Sequence, residues 1–179
     1  MSKNIVILSG SPRKGGNTDL LTDAFVKGAQ SAGKTVTLFR VADMRIGGCL
    51  GCAYCHSHDG TCIQQDDMPQ ILDALKSAEA VVYASPIYYA GVTAQLKAAI
   101  DRGYALLRQY VPWKKGALLL TFGHAQESMA DPTIAMYRAI LGFKGLEDGG
   151  VIVSAGMHDK GEIQGHPALA QAEQLGRDI

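Results

Sequence analysis

All four cysteines of this 179-residue chain fall between residues 49 and 62. Cys49, Cys52, Cys55 and Cys62 give the spacing C-x2-C-x2-C-x6-C. Thiolates at x2 intervals let a loop wrap one compact iron–sulfur core, with the fourth ligand supplied from further along. Gly47, Gly48, Gly51 and Gly60 supply the backbone freedom such wrapping needs. The pattern suits a [4Fe–4S] cluster, and three other readings compete with it. Cys49, Cys52, His58 and Cys62 read C-x2-C-x5-H-x3-C, a tetrahedral zinc set that leaves Cys55 over. A C-x-x-C redox pair ordinarily opens a helix after a strand, whereas these pairs lie inside a longer loop. The last reading is a loop without metal. His56 and His58 read as solvated loop residues.

A second constellation stands near the start. SGSPRKGGNT, residues 9–18, offers the hydroxyls of Ser9, Ser11 and Thr18, the Asn17 amide and the Arg13 guanidinium. Gly10, Gly15 and Gly16 let the backbone approach an anion. A helix capped by Asn17 or Thr18 would add unpaired N–H groups and a positive dipole end, which together describe a phosphate site. The nucleoside triphosphate version fails on two residues. Gly16 stands where G-x-x-x-x-G-K-[ST] requires lysine, and Asn17 where it requires the Mg²⁺-binding hydroxyl. Nor does the loop contain G-x-G-x-x-G. Its donors suit a terminal monophosphate held by neutral groups and one arginine. The competing reading is a glycine turn whose Ser and Asn only cap the helix.

A third stretch, SPIYYAGV (85–92), reads as a shelf. Pro86 stiffens it, Ile87, Tyr88 and Tyr89 offer flat apolar surface, and Gly91 leaves backbone N–H groups approachable. A planar heteroaromatic ligand fits such a wall, while aromatics that simply pack in the core are the alternative. The chain shows no Ser-His-Asp set, no carboxylate pair and no evident catalytic acid, so no catalytic side chain is assigned.

Elements that could position these residues alternate from end to end. NIVILS is a continuous apolar run, as expected of a strand buried on both faces. A helix follows with Leu20, Leu21, Ala24, Phe25 and Gly28 on one stripe and Gly33 as its stop. KTVTLFRV reads as strand two. Residues 43–65 lack any period. Asp66 reads as the cap of a helix carrying Pro69, Ile71, Leu72 and Leu75. EAVVYAS is strand three, and residues 92–109 read as helix three with Leu96, Ile100, Gly103 and Leu107 on one side. GALLLTFG is strand four, Asp131–Pro132 opens helix four, GGVIVSAG is strand five, and a short helix spans Pro167 to Leu175. The result is one α/β domain over 1–179 with a Cys-rich loop at 43–65. Five such strands suit a doubly wound parallel sheet of order 2-1-3-4-5, with helices on both faces and ligands at its carboxyl edge.

Composition narrows the partners. Seventeen basic residues balance seventeen acidic ones, which argues against nucleic acid and against an anionic membrane surface. The same neutrality offers little resistance to self-association, so a homodimer or homotetramer is expected. No apolar run approaches a membrane span, and Ile5 to Leu8 is too short for a signal sequence, so the cytoplasm is the expected location. Cysteines there stay reduced and serve metals or catalysis more often than disulfides.

SGSPRKGGNT followed by ASPIYYAGVTAQLKAAIDR resembles the flavodoxin-like NAD(P)H-dependent FMN reductase superfamily, and the cysteine stretch resembles its iron–sulfur flavoproteins. The resemblance runs to about strand five. It implies FMN, with its phosphate held by Ser9, Ser11, Arg13, Gly16, Asn17 and Thr18 and its ribityl chain and ring against Pro86, Ile87, Tyr88, Tyr89 and Gly91. It also implies a third contact at Thr121, Phe122, Gly123 and His124. The expected activity is hydride uptake from NAD(P)H and electron delivery to a flavin, quinone or other small acceptor. With a [4Fe–4S] cluster on the four cysteines, delivery would pass to a ferredoxin-like carrier. A flavin-binding electron carrier or regulator that is not an enzyme, its Cys loop zinc-bearing or metal-free, is the alternative.

Overall fold

The computed structural model describes residues 3–179. Strands β1 (Asn4–Ser9), β2 (Thr35–Arg40), β3 (Ala80–Pro86), β4 (Lys115–Thr121) and β5 (Glu147–Ser154) alternate with helices α1 (Asn17–Ser31), α2 (Met68–Lys76), α3 (Ala94–Arg102), α4 (Asp131–Lys144) and α5 (Pro167–Asp178). The strands form one parallel sheet of order β2-β1-β3-β4-β5, as the pattern predicts.

The alternation of each strand's side chains fixes the layers. Ile5, Ile7, Val82, Ala84 and Leu119 point to one face, where α1 and α5 cover them with Leu21, Phe25 and Ala172. Val6, Leu8, Val81, Tyr83, Leu118 and Leu120 point to the other, beneath α2, α3 and α4. Each buried aliphatic or aromatic side chain contributes about 1.5–3 kcal/mol of transfer free energy, which makes these two layers the main source of cohesion. The backbones of α1 and α5 meet at Gly28 and Gly176. A Cβ at Gly28 would overlap the Glu173 carbonyl, and one at Gly176 the Phe25 carbonyl.

Five expectations about elements need correction. Helix three does not run to 109. It stops at Arg102, and Gly103–Leu106 tighten into a 3-10 turn, so Leu96, Ala99 and Arg102 are the buried positions and Leu107 is exposed. Arg102 can be buried there because its charged end is satisfied by Asp66 inside the protein rather than by water. Helix α1 is preceded by Gly16, not capped by Asn17 or Thr18. Asp67, not Asp66, precedes α2, although Asp66 Oδ1 does accept from Met68 N at 3.1 Å. Strand five begins two residues early, at Glu147, and helix α5 runs on to Asp178.

Candidate functional site

The carboxyl ends of the strands release the loops that carry chemistry. Residues 10–16 leave β1, 41–67 leave β2, 87–93 leave β3 and 122–130 leave β4. Between the first, third and fourth of these lies a pocket of about 160 Å³. Ser11, Arg13, Gly16, Asn17 and Thr18 line it from the first loop, Pro86, Ile87 and Tyr88 from the third, and Thr121, Phe122 and Gly123 from the fourth. His158 and Lys160 close it from the loop after β5.

The cationic, donor-rich end of the pocket is built around the start of α1. Gly16 offers no side-chain cap, so the first-turn N–H groups are not consumed by one. Arg13 and Lys160 add the cations. Arg13 is oriented by donating Nη1 to His158 O at 3.1 Å. Thr18 Oγ1 and Thr121 Oγ1 stand 2.7 Å apart on the floor. The loop is braced from behind. Asp19 accepts from Gly15 N at 2.7 Å and pairs with Arg40, which also donates to Ser11 O at 3.3 Å. Burial opposes the charge on Arg40, but Asp19 and Asp43 outweigh it and hold its pKa up.

Three of the expected donors do not donate into the pocket. Asn17 uses both ends of its amide on the loop after β5, donating to Asp159 O at 2.7 Å and accepting from Gly161 N at 2.9 Å. It shapes the pocket wall rather than donating into it. Ser9 is buried under the loop, outside the lining, and its Oγ has no protein partner. Gly91 N donates to Tyr88 O at 3.1 Å and is therefore not open to a ligand.

That last bond closes a tight turn. Tyr88 and Gly91 pair, and the two residues between them, Tyr89 and Ala90, both have positive φ, 48° and 61°. Left-handed backbone costs a non-glycine residue about 1–2 kcal/mol, and such strain collects at ligand sites. Thr133 holds the turn by donating Oγ1 to Ala90 O at 3.0 Å. The turn keeps Tyr88 on the pocket wall and leaves Tyr89 fully exposed at the tip, outside the lining. Thr93 then joins the two loops. Its Oγ1 donates to Gly10 O at 2.9 Å and accepts from Leu96 N at 3.3 Å, and its own N–H donates to Ser85 Oγ at 3.0 Å.

His124 lies outside the pocket lining and accepts from Gln126 N through Nδ1 at 3.0 Å. His158 lines the wall instead. Neither it nor Lys160 was legible as a site residue, since the loop after β5 carries no motif. The available signal was its run of Gly, His, Asp and Lys at the same sheet edge.

The four cysteines line one small cleft of about 30 Å³ beside Arg102 and Tyr104. Cys49 and Cys52 are exposed, Cys55 and Cys62 partly buried, and all are free thiols. Among the described residues no three His, Cys, Asp or Glu stand close enough together to hold a metal ion. Burial pushes the Cys55 thiol up, and the other three cysteines add to the shift. His58 is stacked on Tyr54 at 3.6 Å, and Nδ1 lies 2.9 Å from Tyr54 O.

Asp66 ties this loop down, accepting from both Nη1 and Nη2 of Arg102. The Arg102 hydrogen bonds, against the opposing effect of burial and with help from Gly47 N and Met68 N, hold its carboxyl down to about 2. The folded pKa lies below the unfolded value of about 3.9. The pair's contribution, about 2 kcal/mol, is therefore complete above pH 4 and disappears as pH falls toward 2. In denaturant melts, wild type and Asp66→Asn are expected to differ by a constant amount from pH 5 to 8 and to converge below pH 4. A gap unchanged at pH 2.5 would contradict this assignment.

A larger cavity, about 270 Å³, lies elsewhere, between α3 and α4 over Leu8, Tyr83 and Trp113. It is apolar, and its one cation, Lys144, donates to the Leu106 and Leu107 carbonyls. It lacks the donors of a phosphate site.

Residues 3–157 match the family described as NADPH-dependent FMN reductase. Among curated proteins, an iron–sulfur flavoprotein of Archaeoglobus fulgidus is 32% identical over 88% of this chain and 57% of its own length. One from Methanosarcina thermophila is 33% identical over 71% of this chain and 66% of its own length. The chain thus spans a little over half to two thirds of these relatives. Among solved structures, an NAD(P)H:quinone oxidoreductase from Methanothermobacter marburgensis superposes with a TM-score of 0.78 at 20% identity, over 99% of this chain and 96% of that one. At that identity the likeness concerns the fold.

Proposed function

The chain belongs to the NADPH-dependent FMN reductase family, and from that premise we propose that it is an FMN-dependent oxidoreductase which takes hydride from NAD(P)H. The observation that carries this reading is the uncapped start of α1, flanked by Arg13 and Lys160, opening into the same pocket as the Pro86–Tyr88 wall. One end of that pocket suits a dianionic phosphate and the other a planar ring. FMN, when bound, supplies two-electron uptake and one-electron release.

The chain's residues have positioning roles. Ser11, Arg13, Thr18 and the α1 N-terminus would hold the phosphate, with Lys160 as a second cation. Pro86, Ile87 and Tyr88 would carry the ring, and Thr121 and Gly123 would bound the opposite side. Asn17 and Gly16 would set the loop's shape. No side chain needs to move a proton for hydride transfer, so no catalytic acid or base is assigned.

The finer proposal concerns the cysteines. Cys49, Cys52, Cys55 and Cys62 would hold a [4Fe–4S] cluster that exchanges single electrons with a ferredoxin-like carrier. Four free thiols on one cleft support it, as does the likeness to iron–sulfur flavoproteins. The thiols would have to close on the metal, as is usual where binding and loop ordering are coupled. A metal-free loop would leave a flavin, quinone or other small molecule as acceptor. We further propose that residues 1–179 act as one domain, in the cytoplasm, as a homodimer or homotetramer. Supporting self-association, Tyr104, Leu107, Tyr110 and Phe143 are exposed apolar residues on or next to the α3 and α4 elements. Among the described residues no helix is long and apolar enough to cross a membrane.

Anaerobic purification followed by a visible spectrum, iron analysis and NADH or NADPH turnover tests all of this together. The expected result is one FMN per chain, iron with acid-labile sulfide, and nicotinamide oxidation that depends on FMN. Failure to bind added FMN would sink the reading. FMN binding without nicotinamide turnover would favour a pure carrier.

A further inference from the structure

The cysteine cleft contains one charged side chain besides the thiols, that of Arg102. It is the last residue of α3, and its side chain is only 1% exposed. Nη1 donates to Asp66 Oδ2 at 2.7 Å and to Gly47 O at 3.0 Å, and Nη2 donates to Asp66 Oδ1 at 3.0 Å. Asp66 also accepts from Gly47 N at 3.0 Å. Gly47 precedes the first cysteine and Asp66 follows the last. A single ion pair therefore gathers both ends of the loop onto α3.

One nitrogen of the guanidinium is left over. Arg102 Nε is buried and has no hydrogen-bond partner. A buried donor without a partner costs about 1–3 kcal/mol, more when charged. Native structures retain such groups where something else supplies the acceptor. Asp66 does not line the cleft whereas Arg102 does, so the cleft faces the positive end of the pair. Cys62 is the thiol that reaches the Arg102 guanidinium, through a side-chain hydrogen bond as well as through its charge. Four thiolates on an iron–sulfur core carry net negative charge, and they offer sulfur acceptors to a buried N–H. Hydrogen bonds and nearby charge of this kind set the potentials of such centres.

We infer that Arg102 is the positioning residue of the cysteine loop: clasped by Asp66, it presents a buried Nε–H and a fixed positive charge to an iron–thiolate occupant of the cleft. The inference rests on the cluster reading proposed above. Two roles follow from one side chain. The two-pronged fork that grips Asp66 sets where the loop sits, and an ammonium cannot reproduce it. The charge stabilises the more negative, reduced state of the occupant. Because Thr93, the N-cap of α3, braces the first loop through Gly10, the same helix positions both proposed redox sites.

The test compares wild type with Arg102→Gln/Asp66→Asn, which replaces the ion pair by two amides of similar reach and leaves the net charge unchanged. Each protein is reconstituted anaerobically with iron and sulfide. Iron per chain, the midpoint potential in a spectroscopically monitored redox titration, and thermal melting are then read. The double variant is expected to shift the one-electron reduction equilibrium about tenfold toward the oxidised state, about 59 mV to more negative potential. A loop that is only held in place would lose iron without this shift in the fraction that remains loaded. Arg102→Lys is expected to shift in the same direction by less, and it carries the test if the double variant does not fold. Wild-type iron content with wild-type potential in the folded variants overturns the role of Arg102 and leaves the cluster reading standing. A wild type that takes up no iron under these conditions overturns both.

Discussion

Gly28→Ala is expected to destabilise the protein by about 3 kcal/mol, the upper part of the usual overpacking range. The direction is opposite to the ordinary rule that alanine stabilises a helix over glycine by about 1 kcal/mol. The cause is the crossing of α1 and α5. At Gly28 the new Cβ would meet the backbone carbonyl of Glu173, and at Gly176 it would meet that of Phe25. Both obstacles are main-chain atoms in regular helix, so no rotamer change relieves them. The helices must separate, which opens the layer formed by Leu21, Phe25 and Ala172 over the sheet. For a chain of this size about 3 kcal/mol corresponds to a fall in Tm of roughly 6–12 °C. Gly176→Ala is expected to behave alike. Gly142 in α4 provides the control, since nothing lies within 4 Å of its Cβ position. Gly142→Ala is expected to be neutral or to stabilise by about 0.5–1 kcal/mol. Calorimetric melting of the three variants decides the matter, and a Gly28→Ala protein melting like wild type would refute the close crossing.

Arg13→Ala is expected to weaken FMN binding ten- to hundredfold, because a charged hydrogen bond to phosphate is worth about 1.5–3 kcal/mol. The side chain lines the pocket beside the α1 N-terminus and is aimed by His158 O. Lys160→Ala is expected to cost less, since lysine acts as a mobile point charge without a planar fork. Riboflavin, which lacks the phosphate, makes the measurement specific. Its affinity should be the same for wild type and both variants, while FMN separates them. Flavin fluorescence titration reads both ligands. If FMN affinity stays within twofold of wild type in Arg13→Ala, the phosphate is held somewhere other than this loop. If riboflavin binding falls equally, Arg13 serves the loop's shape and not the anion.

Residue type and spacing determined a good deal by themselves. Continuous apolar runs such as NIVILS, alternating with helical stripes, determined a parallel sheet covered on both faces, because a strand with no polar face has to be buried on both. Strand order 2-1-3-4-5 followed from that topology and is the order observed. SGSPRKGGNT and SPIYYAGV converge on one pocket because both leave strand ends at the carboxyl edge. Local pattern says where a loop starts, but not which way its side chains turn. Only the folded chain committed Asn17 to the loop after β5, folded Tyr89 out at the tip of a strained turn, and brought His158 and Lys160 to the pocket. The first and last of those outcomes depend on contacts more than 140 residues apart in the chain, such as Asn17 with Asp159 and Arg13 with His158, while the turn is held by Thr133 bonding Ala90. The same holds for Arg102. In sequence it is one cation on an amphipathic helix. Its partner Asp66 lies 36 residues away, and the pairing places a buried guanidinium beside four thiols. Periodicity records which face of an element is apolar, whereas a buried charge is decided by the partner that tertiary structure brings to it.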